Sequence, residues 1–142
     1  MSRDEIVAAA RGWLGTPYRH QAALKGVGCD CLGLVRGVYA EVTGRAPETP
    51  PPYTPDWAEA RRAETLAEAA RRYLTEIEPA TAEAGDILLF RWRRDLPAKH
   101  AGIVSRPGWM IHAHDGACVA EAPLGIWARR IAYAFRFPDL EE

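Results

Sequence analysis

The stretch Gly28-Cys29-Asp30-Cys31-Leu32-Gly33-Leu34-Val35 sets a cysteine where a loop turns into a helix. From there Cys31, Leu34, Val35, Val38 and Val42 fall on one helical face, and Gly44 ends the run. A thiol at a helix N-terminus meets unpaired backbone N–H groups and the positive end of the helix dipole. Both favour the thiolate, which is the nucleophilic form. The same N–H groups suit a developing oxyanion. Gly33 lets another segment approach the first turn closely. The plain alternative is a small buried hydrophobe, because Cys31 also belongs to the apolar face.

Upstream, Ser2 and Glu5 form a capping-box pattern. Ile6, Ala9, Ala10, Trp13 and Leu14 then recur at helical spacing until Gly15 and Pro17 stop them. Tyr18 to Gly28 reads as a loop. Downstream, the five prolines between Pro47 and Pro55 impose an irregular or extended loop. Trp57 to about Ile77 reads as a long third helix, with Ala63, Leu66, Ala70, Leu74 and Ile77 as its buried stripe.

After Pro79 the pattern shortens. Gly85-Asp86 is a turn before Ile87-Leu88-Leu89-Phe90. Ala101–Val104 and Trp109–Ala113 are two apolar runs separated by Pro107-Gly108, and Asp115-Gly116 is a further turn. Cys118 reads as a core residue on a short strand. Ile131, Tyr133, Phe135 and Phe137 alternate with Ala132, Ala134 and Arg136. The expectation is an α+β fold, with N-terminal helices packed on a sheet of four or five short antiparallel strands. The 142 residues form a single domain, 1–142, since the part before the Pro-rich loop is too short to bury a core alone.

Composition narrows the function. The formal net charge of -1 excludes the strong basic excess of a nucleic-acid binder. The local cations Arg61, Arg62, Arg71 and Arg72 read as a solvated helix face. No stretch approaches the ~20 apolar residues of a membrane span. The N-terminal stretch lacks the apolar core of a signal peptide, so synthesis in the cytoplasm without that export route is expected. Three cysteines do not make a disulfide framework, and one must stay unpaired in a monomer.

A thiol nucleophile needs a base, and the base needs an orienting group. His20, His100, His112 and His114 are the candidates. His100 opens one strand-like run, and His112 lies on the next, across the Pro107-Gly108 turn. Antiparallel neighbours can set two such imidazoles side by side. His114 shares a strand face with His112, so spacing does not choose between them.

These blocks carry a resemblance. Leu14-Gly15-Thr16-Pro17-Tyr18, Gly28-x-Asp30-Cys31-x-Gly33-Leu34-Val35, Gly85-Asp86-Ile87-Leu88-x-Phe90, His100-Ala101-Gly102-Ile103-Val104 and Ile111-His112-Ala113 follow in the order seen in NlpC/P60 cysteine peptidases. More narrowly the chain resembles the short members encoded with phage tail genes, including those of gene transfer agents. The resemblance implies a papain-like fold, with Cys31 as nucleophile, His100 as general base and His112 as orienting residue. It also implies Tyr18 and Asp30 on the substrate side, with Asp30 a partner for a cationic substrate group. The implied substrate is the stem peptide of peptidoglycan, cut between D-glutamate and diaminopimelate. No cofactor or metal is implied, nor a nucleic-acid or membrane partner. The implied setting is a phage-like particle, among other tail-tip proteins.

The chain departs from the family pattern at Leu32, where serine is usual. It departs again at Arg19-His20-Gln21-Ala22-Ala23, where an aromatic-Gly-Gly segment is usual. Both departures bear on the substrate pocket more than on the chemistry. Rival readings are a structural tail protein that kept the fold, a lysis endopeptidase, and an acyltransferase using the same thiol. A zinc set made of Cys29-x-Cys31 and His112-x-His114 is a further rival.

Overall fold

A computed structural model describes residues 1–47, 64–114 and 116–141. Helix α1 (Arg3–Arg11) is capped as expected, with Ser2 Oγ accepting from the Glu5 N–H at 3.1 Å. It ends four residues before Gly15, in tight turns through Gly12 to Thr16. Trp13 follows, buried, and its indole N–H donates to Glu41 at 2.9 Å on helix α2 (Cys31–Thr43). Between them lies a two-stranded hairpin, β1 (Ala23–Leu24) and β2 (Gly28–Cys29), inside the stretch that reads as loop. Gly44 closes α2 in the left-handed conformation, φ 73°.

Helix α3 spans Thr65–Tyr73. The expected Pro-rich loop beyond Pro47 and the expected helix from Trp57 to Ala63 lie outside the described residues, as does Asp115 of the expected turn. At its other end the long-helix expectation is corrected. Leu74 is extended (φ -127°, ψ 163°), and Thr75–Ile77 forms strand β3. Its partner is β8 (Ile131–Arg136), with Thr75 opposite Arg136 and Ile77 opposite Ala134. Leu74 and Ile77 fit a helical stripe by spacing. The β8 edge, however, offers backbone hydrogen bonds that Thr75–Ile77 takes up as a strand.

The remaining strands are β4 (Ile87–Phe90), β5 (His100–Arg106), β6 (Trp109–Ala113) and β7 (Val119–Pro123). Among the described residues they form one six-stranded sheet in the order β3-β8-β4-β5-β6-β7, antiparallel throughout. The architecture is α+β, as expected, and the main sheet has six strands where the periodicity predicts four or five. Cys118 is a second correction. It precedes β7, bridges to Pro17 and is exposed, because the burial pattern of β7 starts only at Val119.

The sheet has two unlike faces. Leu34 and Val38 of α2 and Ile6 and Ala10 of α1 pack on Ile87, Leu89, Ala101, Ile103, Ile111 and Phe135. Each fully buried side chain of this size contributes roughly 1.5–3 kcal/mol. On the other face Leu88, Phe90, Val104, Met110 and Ala134 form a smaller cluster under Leu124 and Trp127. Asp86 is buried where α1 meets the sheet. It accepts from Arg3 at 3.1 Å and from Arg136 at 2.9 Å, so both cations compensate the buried carboxylate. Among the described residues no helix is long and apolar enough to cross a membrane.

Candidate active site

Cys31 is the first residue of α2. Asp30 caps that helix: Oδ1 accepts from the Gly33 N–H at 2.7 Å, and Oδ2 accepts from the Gln21 N–H at 2.8 Å. The second bond ties the loop before β1 to the helix start. The Asp30 N–H in turn donates to Ala22 O at 3.2 Å. A Cβ on Gly33 would overlap that same Ala22 carbonyl, so the close approach expected of this glycine is present. Hairpin and helix are thereby locked together, and the thiol is aimed at the start of β5. Cys31 Sγ lies 3.7 Å from Lys99 O, with the backbone N–H of Ala101 directed at the sulfur from the other side of His100.

The electrostatics differ from the sequence expectation. Cys31 is half-buried as a residue, but its sulfur is desolvated. Burial first, and the Asp30 carboxylate second, push the thiol up to about 12, against the lowering effect of the N–H groups of Ala101, Leu32 and Cys31 itself. Helix-terminus donors are present, as expected, but desolvation and the capping carboxylate outweigh them. The resting thiol is therefore protonated, and ionisation requires a partner that takes the proton.

Two imidazoles stand on β5, whose start the sulfur faces, and on β6 beside it. His100 Nε2 and His112 Nδ1 are 2.9 Å apart, both residues buried. This bond distinguishes His112 from His114, which spacing alone left equivalent. Gly102 makes room for it. A Cβ there would lie 2.6 Å from Met110 Sδ and 3.5 Å from His112 Cβ. Burial holds His100 well below the usual histidine range, reinforced by the charges of His112, His114 and Lys99. Burial, then His114, brings His112 down to about 4. Both rings are thus neutral at neutral pH. With Nε2 engaged by His112, the other ring nitrogen of His100 is Nδ1, the one nearer the backbone, where the sulfur sits against Lys99 O. Nε2–H then donates to His112 Nδ1, which fixes the tautomer.

The other candidates sort by position. Tyr18 is half-buried; its N–H donates to Ala117 O at 3.0 Å, and it bridges Cys29 across β2. Asp30 is 3% exposed, with both oxygens on main-chain N–H groups, so what its geometry supports is positioning of Cys31. His20 Nδ1 is 4.0 Å from Asp30 Oδ2 at the rim of this loop. Cys29 is fully buried in the main core, where desolvation pushes its thiol up to about 11. Among the described residues no group of three or more His, Cys, Asp or Glu is arranged to hold a metal ion.

Sequence reasoning missed the rings around the histidines. Trp127 stacks on His100 with centroids 4.7 Å apart and planes at 30°. Trp92 lies 5.0 Å from Trp127. Both come from segments outside the regular strands, and neither adjoins a recognisable motif, so no local signal marks them.

Comparison with known proteins bears on the family and the fold. The NlpC/P60 family model matches residues 15–136. The NlpC/p60 domain of the peptidoglycan hydrolase SagA is similar at 27% identity and TM-score 0.72, over 96% of this chain and 100% of that one. An NlpC/P60 family protein from Bacillus cereus superposes at TM-score 0.71 and 19% identity, over 96% of this chain but 40% of that one. RipD from Mycobacterium tuberculosis, a non-catalytic NlpC/p60 domain protein adapted to peptidoglycan binding, superposes at TM-score 0.61 and 16% identity, over 94% of this chain and 95% of that one. No curated protein matches the chain.

Proposed function

We propose, starting from the fact that the chain belongs to the NlpC/P60 family, that it is a cysteine peptidase of peptidoglycan stem peptides. The observation that carries this is the 2.9 Å bond between His100 and His112 on strands beside the Cys31 thiol. Cys31 gives its proton to His100 Nδ1 and attacks the scissile carbonyl carbon. The oxyanion forms where the N–H groups of the α2 N-terminus point. Collapse breaks the C–N bond, and the amine leaves with the proton from His100. Water, deprotonated by His100, then hydrolyses the thioester and restores the thiol. Because both partners rest neutral, the protein need not hold a buried ion pair between turnovers.

The bond proposed is that from D-glutamate to diaminopimelate, with Tyr18 on the substrate side and Asp30 holding the helix start that presents Cys31. Digesting diaminopimelate-type peptidoglycan and weighing the fragments tests it. Fragments ending at D-glutamate are expected, with unchanged yield in the presence of a chelator. Intact stems released from muramic acid, or new glycan ends, would refute the assignment.

The physiological setting proposed is the tail of a phage-like particle, alongside other tail-tip proteins, where local hydrolysis opens the wall for DNA delivery. The likeness of the five ordered blocks to tail-encoded family members supports it. Mass spectrometry of purified particles is expected to detect the chain at low copy number. Its absence from particles, combined with failed particle release when it is deleted, would assign it to host lysis instead.

A further inference from the structure

We propose that Trp127 is a positioning residue of the catalytic pair: its indole face holds His100 in register with His112 and supports that imidazole when it takes the Cys31 proton. The inference rests on the reading of Cys31 and His100 as nucleophile and base.

Trp127 is the hub of the ring cluster. Besides stacking on His100 at 4.7 Å, it makes T-shaped contacts with His112 at 5.8 Å and with His114 at 5.5 Å. Phe90 and Trp92 support it from 5.2 and 5.0 Å. The short 3-10 segment Gly125–Arg130 that carries it is fixed to the sheet at both ends. The Leu124 N–H donates to Gly108 O at 2.8 Å, and Arg130 O accepts from the Arg91 N–H at 2.9 Å. The indole therefore cannot drift from the imidazole without unpinning a segment that bridges two strand turns.

This placement answers a difficulty in the chemistry. His100 is buried, so its cationic form is disfavoured, yet it must become an imidazolium each turnover. Water would stabilise the cation but would also compete for the His100–His112 bond. An indole face excludes water and still attracts a cation through its quadrupole. The charged or titratable groups facing His100 do not supply that attraction. His112 comes from β6 and His114 from just beyond its end, Lys99 directly precedes β5, and Arg130 lies over Trp92 at 5.3 Å; when charged, each repels an imidazolium. Cys31, from α2, supplies the proton.

The test replaces Trp127 by Leu and by Met, which keep an apolar lid without an aromatic face, and by Phe, which keeps a face. Cys31 alkylation by iodoacetamide is followed by peptide mass from acidic to alkaline pH, with exposed Cys118 as internal reference. With Leu or Met the plateau rate at Cys31 is expected to fall about tenfold. The Phe variant should recover to within about threefold of wild type. On a soluble stem peptide the same variants should lose kcat with KM unchanged. An aliphatic variant that folds and labels Cys31 at the wild-type rate across the pH range overturns the proposal. So does a Phe variant no better than Leu. If labelling behaves as expected while wild-type protein cuts no stem peptide, the positioning role stands and the substrate reading fails.

Discussion

Cys31→Ala protein is expected to fold normally and to digest peptidoglycan at least about a thousandfold more slowly than wild type. The fold should survive because Cys31 packs only partly against the core, and alanine keeps its place at the first turn of α2. Activity should not survive, because among the described residues no second thiol stands in its place. Cys29 is enclosed in the core, and Cys118 lies exposed just before β7. The resting state of the site sharpens the test. Burial and Asp30 push the thiol up to about 12, so the proposed mechanism requires His100 to take its proton at neutral pH. Iodoacetamide should therefore label Cys31 in wild type. In His100→Ala protein the labelling of Cys31 should slow sharply while Cys118 is unaffected. Equal labelling of Cys31 in both proteins, or retained hydrolysis in Cys31→Ala, would remove this residue from the mechanism.

The parts of this site that were legible in the sequence are those encoded locally. A cysteine between a capping residue and an apolar helical stripe announces its own position. His100 and His112 each sit at a fixed place in a short strand joined by a tight turn, so their convergence follows from antiparallel pairing. The choice between His112 and His114 was not legible, because both point to one face. Only the bond to His100 Nε2 separates them. Asp30 carried a readable signal that the family likeness overshadowed: an Asp just before a helix is first an N-cap. Strand β3 was hidden because Leu74 and Ile77, three residues apart, fit a helical stripe, and only the distant β8 edge draws Thr75–Ile77 into a strand. The direction of the Cys31 shift was hidden for a related reason. The helix terminus is a local feature, whereas the burial that outweighs it arises only when α2 packs in the folded chain.

Gly33→Ala is expected to destabilise the protein by about 3 kcal/mol or more, even though alanine is the better helix former. In an open helix the exchange would gain up to about 1 kcal/mol. Here the new methyl group would overlap the Ala22 carbonyl oxygen, with the Ala22 carbonyl carbon at 2.9 Å and Ala23 Cα at 3.1 Å. These are backbone atoms, and they cannot swing aside as a side chain would. Ala22 O also accepts from the Asp30 N–H, and Asp30 caps the very N–H of Gly33, so moving the hairpin pulls on the cap. Gly12 provides the contrast. A Cβ there meets first the end of Lys25, with Nζ at 2.9 Å, which can rotate into solvent. Thermal unfolding followed by circular dichroism should show a midpoint lowered by about ten degrees for Gly33→Ala and by far less for Gly12→Ala. Because the cap also sets the direction of Cys31, the surviving folded fraction of Gly33→Ala should hydrolyse peptidoglycan poorly at temperatures well below its midpoint. A Gly33→Ala protein that melts with wild type would mean that hairpin and helix are not locked at this contact, and that the nucleophile is positioned by something else.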